Sequence, residues 1–130
     1  MIKEFHHVAF AVRDLDKIIK LMENTYGMKV HSRTEITERQ MEAVLFKMAD
    51  TYLEYLAPTT ETSPLNGFIR NNGEGFHHIA CLVDSIEQAR RLLPKGALLE
   101  TRKSDVGNWL VADFNREFGS GLITQIVQID

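Results

Sequence analysis

The chain has 130 residues, 44% hydrophobic and 25% charged, which suits one globular domain or two small modules sharing a core. Its 18 acidic and 15 basic residues leave a net charge of −3, so there is no overall basic field for a nucleic acid. Cys81 is the single cysteine and forms no intramolecular disulfide, no apolar run approaches a membrane span, and Met1-Ile2-Lys3-Glu4-Phe5 lacks the apolar core of a signal peptide. The expectation is a cytoplasmic protein with no nucleic-acid or membrane partner.

Residues 5–12 alternate and are rich in β-formers, which predicts a strand. Asp14 can cap a helix over 15–26, where Leu15, Ile18, Ile19 and Met22 fall at helical spacing and Gly27 stops it. Strands follow over about 28–35, 41–48 and 51–57, the last two joined by a tight turn at Ala49-Asp50. Ser63-Pro64 opens a short helix that Asn71-Asn72-Gly73 closes. The plan then repeats: a strand over 76–83, a helix capped by Ser85 and ended by Pro94-Lys95-Gly96, and strands near 97–103, 108–114 and 122–129.

Each module is therefore βαβββ. One helix cannot cover both faces of four strands, so the two modules are expected to combine. The predicted fold class is α+β, with two βαβββ modules forming one curved mixed sheet around a concave cleft. Module 1 covers about 1–58, a linker about 59–75 and module 2 about 76–130, all within a single domain.

The repeat extends to chemistry. Phe5-His6-His7-Val8-Ala9 returns as Phe76-His77-His78-Ile79-Ala80, an offset of 71 residues. The same offset carries Glu54, in Leu53-Glu54-Tyr55-Leu56, onto Gln125, in Thr124-Gln125-Ile126-Val127. His7, Glu54, His78 and Gln125 thus hold equivalent places in two copies, and a pseudo-twofold would bring two imidazoles and two side-chain oxygens to one point. A lone histidine on a strand is ordinarily a hydrogen-bonded core or surface residue. Repetition at one offset, matched by oxygen-bearing residues, favours a metal site.

Strand parity permits convergence. Phe5, His7, Ala9 and Ala11 point one way, and His6, Val8, Phe10 and Val12 the other. In the second copy His78, Ala80 and Leu82 match the His7 side, while Ile79, Cys81 and Val83 match the helix side. By this reading His7 and His78 face the cleft, and His6 and His77 do not.

These residues resemble the vicinal oxygen chelate superfamily, whose βαβββ modules pair to build metal sites. The chain is most similar to methylmalonyl-CoA epimerases. The likeness lies in His7-Val8-Ala9 with Asp14-Leu15-Asp16-Lys17, in Asp50-Thr51-Tyr52-Leu53-Glu54-Tyr55-Leu56-Ala57-Pro58, and in Ser63-Pro64-Leu65 with Phe68. It continues in Gly73-Glu74-Gly75-Phe76-His77-His78-Ile79-Ala80, followed by Val83-Asp84. The resemblance implies metal ligands at His7, Glu54, His78 and Gln125, the set given by the repeat. Three departures stand out. Gln125 replaces the usual glutamate, leaving Glu54 as the only anionic ligand. Ala43 falls where some epimerases carry a catalytic glutamate, with Glu42 next to it and on the opposite face. Ser104-Asp105-Val106-Gly107-Asn108-Trp109 replaces a Gly-rich loop.

Two imidazoles and two oxygens suit one divalent ion of Co, Mn, Ni, Zn or Fe, with two positions left for substrate. Such an ion would stabilise an enolate formed by removing the proton α to a thioester carbonyl, with Glu54 or, in a shifted register, Glu42 as base. The leading expectation is an epimerase or isomerase of an acyl-CoA or other thioester, working as a homodimer. The alternatives are a glyoxalase-I-like lyase, an Fe(II) dioxygenase on His7, His78 and Glu54, or a metal-free binding protein with Trp109 and Phe114 in its wall.

Overall fold

A computed structural model of the protein describes residues 1–119 and 121–129. In chain order its elements are β1 (Ile2–Ala11), α1 (Leu15–Tyr26), β2 (Ser32–Ile36), β3 (Met41–Met48), β4 (Thr51–Pro58) and α2 (Pro64–Asn72). They continue with β5 (Gly75–Val83), α3 (Ile86–Leu92), β6 (Arg102–Lys103), β7 (Leu110–Asp113) and β8 (Ile123–Gln128). The fold class is α+β. The eight strands hydrogen-bond in the order β2-β3-β4-β1-β5-β8-β7-β6. The chain divides into two compact units, Val8–His77 and Met1–His7 with the residues from His78 onward, so β1 and β5 each contribute to both.

In the Val8–His77 unit the helices start and stop where the sequence directs. The Asp14 carboxylate accepts from the Lys17 N–H at 3.2 Å, and Gly27 closes α1 in the left-handed region (φ 64°), where a Cβ is strained. Ser63 caps α2, with Pro64 in its first turn. The β3–β4 hairpin pairs Leu45 with Glu54 and Ala43 with Leu56, across a turn that holds Ala49 at φ 52°. Val12, Leu15, Met22, Val44, Phe46 and Ala57 form one buried cluster beneath α1. Alternation then puts Ala43, Leu45, Glu54 and Leu56 on the other face of the hairpin, and all four are buried.

The second unit repeats this logic. Ser85 caps α3 by accepting from the Gln88 N–H at 3.1 Å. Val83, Ile86, Ala89, Leu98, Ala112 and Ile126 pack together on the helix side. Ala80, Val111 and Val127, joined by Leu82 and Trp109, form a separate cluster on the opposite face. β5 and β8 run parallel with Ala80 opposite Gln125, and β7 and β8 run antiparallel with Asp113 opposite Gln125.

Two strands are shorter than the sequence predicts, for local reasons. β2 begins at Ser32 because Met28 still belongs to the end of α1: its N–H bonds the Met22 carbonyl at 3.0 Å and its side chain packs beneath the helix. β6 shrinks to Arg102–Lys103 because the Arg90 guanidinium takes the Leu98 and Leu99 carbonyls at 3.0 and 2.8 Å. Phe114 packs with the α3 cluster, so it shares no wall with Trp109. No helix among the described residues is long and apolar enough to cross a membrane.

Asp14→Ala is expected to cost about 1 kcal/mol through loss of the α1 cap. Phe46→Ala, at a fully buried position, is expected to cost about 3–5 kcal/mol. Urea denaturation of the two variants measures both.

Candidate metal centre

His7 on β1 and His78 on β5 are buried, 4% and 5% exposed, and their Nε2 atoms stand 3.0 Å apart. The rings meet nearly edge-on, with centroids 5.1 Å apart and planes at 85°. Behind His7, its Nδ1 lies 2.8 Å from Nδ1 of His6. His6 in turn packs edge-on against Trp109, centroid to centroid 4.7 Å. Burial first, and the neighbouring His6 second, push the His7 pKa from 6.5 down to about 3. His7 is therefore neutral at physiological pH, the form in which imidazole ligates a metal.

The donor geometry fits a metal ion. Octahedral ligands at about 2.1 Å from an ion stand about 3 Å apart when adjacent, which matches the Nε2 separation of 3.0 Å. Were both Nε2 lone pairs to take an ion, neutral His7 would carry its proton on Nδ1 and could donate it to Nδ1 of His6, 2.8 Å away. This outer bond fixes the tautomer and the ring plane of a metal-binding histidine.

Gln125 on β8 is 8% exposed and directly opposite Ala80 on β5, which places its side chain on the same face as Ala80. Residues two apart share a face, so His78 lies on that side too. Glu54, in the Val8–His77 unit, is 4% exposed between apolar strand neighbours.

Glu42 lies elsewhere. Paired with Ala57, it projects from the α1 side of the hairpin, the side of Val44 and Phe46. Its carboxylate accepts from Arg33 at 2.8 Å, and Arg33 also holds Asp16 of α1 at 2.9 Å. Glu42 is thus an ion-paired glutamate on the helix side of the hairpin, on the face opposite Glu54.

His6 is the residue that strand parity missed. Parity fixes only the direction in which a side chain leaves the backbone, and the imidazole of His6 still reaches the back of His7. The paired His-His motif was the available signal. Its counterpart does not repeat the arrangement: His77 is half-buried and packs on Phe68 of α2, centroids 4.5 Å apart.

In metal-free protein the depressed His7 pKa has a definite sign. Between pH 6.5 and about 3 the unfolded chain binds a proton that the native state refuses, so stability falls as pH drops through this window. The contribution reaches at most about 1.4 kcal/mol per pH unit. His7→Asn is expected to flatten the slope of unfolding free energy against pH, measured by urea titration in the presence of chelator. An unchanged slope would show that His7 is not desolvated as the geometry requires.

The chain matches the sequence pattern of the glyoxalase/bleomycin resistance protein/dioxygenase superfamily over residues 6–108. It is 35% identical over 99 residues to the ethylmalonyl-CoA/methylmalonyl-CoA epimerase of Cereibacter sphaeroides, covering 75% of this chain and 74% of that protein. It is also 35% identical over 85 residues to the mitochondrial methylmalonyl-CoA epimerase of Homo sapiens, covering 65% of this chain and 48% of that one. The chain thus spans about half the length of the human relative. The fold matches a variant of Streptomyces coelicolor methylmalonyl-CoA epimerase in complex with 2-nitronate-propionyl-CoA, with a TM-score of 0.86 at 26% identity over 99% of this chain and 96% of that one. The chain belongs to the glyoxalase/bleomycin resistance protein/dioxygenase superfamily.

Proposed function

We propose that this protein is a metal-dependent epimerase of a 2-substituted malonyl thioester such as methylmalonyl-CoA. In this reading both modules serve one site, and His7, Glu54, His78 and Gln125 hold one divalent ion of Co, Mn, Ni, Zn or Fe. The observation that carries it is the pair of buried imidazole nitrogens 3.0 Å apart. Its substrate class is supported by relatives that are named epimerases of ethylmalonyl-CoA and methylmalonyl-CoA. His7, Glu54 and His78 are also a buried trio of ligand-type side chains.

A divalent ion held there supplies Lewis-acid charge that offsets negative charge developing on the thioester oxygen. The protein's own groups set how much of that charge survives. Two neutral imidazoles and a neutral amide cancel none of it, and Glu54 cancels one unit. His6 holds the His7 ring in its ligating orientation. Epimerisation needs a proton removed from one face of the α carbon and returned to the other. With Glu42 tied to Arg33, Glu54 is the remaining base from the sequence reading, and it would have to leave the ion to take the proton.

The test is solvent-deuterium incorporation at C2 of methylmalonyl-CoA, followed by NMR in D2O with added Co or Mn. Wild type is expected to exchange. His78→Ala should lose more than the roughly 10–100-fold that outer-shell changes produce at metal sites. Absence of exchange in the wild type with every ion would overturn the reading.

A further inference from the structure

Asp113 is a carboxylate that the proposed reaction does not yet use. It ends β7 directly opposite Gln125 on β8. The Phe114 N–H bonds the Thr124 carbonyl at 2.9 Å, so the next pair along, Asp113 with Gln125, is a non-hydrogen-bonded pair. In such pairs the side chains approach most closely, with Cβ atoms about 5 Å apart. Ala112 packs on the α3 side and Val111 on the opposite face, so Asp113 shares the face of Val111, Trp109 and Gln125. Its Oδ2 lies 3.4 Å from the Arg102 guanidinium. Its Oδ1 is buried and accepts no hydrogen bond from any described residue. A buried carboxylate oxygen left without a donor is costly unless a bound state supplies one.

We propose that Asp113 is a positioning residue for Gln125. With the metal bound, its unpartnered Oδ1 would accept a hydrogen bond from the Gln125 amide nitrogen and so turn the amide oxygen toward the ion. The chemistry of the two ends decides this. An amide can present either its oxygen or its NH2 group, whereas an ionised carboxylate only accepts. Beside Asp113 the NH2 end is the favoured neighbour, which leaves the oxygen for the ion. The same pairing accounts for glutamine at this position. A glutamate at 125 would set two like charges directly opposite each other on paired strands, which is destabilising. Arg102 holds the other carboxylate oxygen and so limits rotation of Asp113. The inference rests on the proposed metal site and assigns it an orienting partner.

The experiment is a double-mutant cycle read by cobalt affinity. Wild type, Asp113→Asn, Gln125→Glu and the double variant are titrated with Co(II) by calorimetry, and the visible absorption of each cobalt protein is recorded. Asp113→Asn is expected to weaken binding about tenfold, within the range for lost outer-shell partners, and to alter the cobalt spectrum. Gln125→Glu is expected to tighten binding at least about tenfold more in the Asp113→Asn background than alone, since Asp113 no longer repels the new carboxylate. Melting of the metal-free variants confirms folding, and Asp113→Ser replaces Asp113→Asn in the cycle if the latter does not melt cooperatively. Cobalt binding with equal effects of Gln125→Glu in both backgrounds would overturn the Asp113 assignment alone. A wild type that takes up no cobalt would overturn the metal reading together with it.

Discussion

Two buried imidazole nitrogens 3.0 Å apart set the terms for everything around them. Burial makes a charged imidazole expensive, so His7 stays neutral, and a neutral ring must settle which nitrogen carries its proton. Nδ1 of His6 stands 2.8 Å behind that of His7, and Trp109 packs against His6. The sheet makes the meeting possible. Its fourth and fifth strands are β1 and β5, the first strands of the two repeats, so residues 71 apart in sequence become neighbours at its centre.

The two repeats differ in chemistry at matched positions, Glu54 in the first and Gln125 in the second. In the first, Glu54 shares one face of the β3–β4 hairpin with Ala43, Leu45 and Leu56. In the second, the neutral Gln125 faces Asp113 across the strands, with Arg102 holding that carboxylate.

Glycines, prolines and caps made most of the secondary structure legible. α1 begins after Asp14 and ends at Gly27, and α2 begins after Ser63. These signals act through local hydrogen bonds and backbone conformation, which a short stretch of sequence carries whole. Where a distant group intervened, the reading slipped. The stretch around Leu98 is not a full strand, because Arg90 takes its carbonyls from α3. Glu42 looked like a spare acid until Arg33 and Asp16 were found tying it to α1.

The sequence by itself determined the duplicated module, the helix boundaries and the identity of the four candidate ligands, because repetition and strand parity are properties of spacing. Only the tertiary structure decided which of the paired histidines act together. The His6 ring reaches the back of His7 and packs on Trp109, while His77 packs on Phe68. It also revealed Asp113 beside Gln125, a contact between strands whose register no local pattern specifies. Side-chain reach and cross-strand register depend on how distant segments pack, and that information is spread over the whole chain.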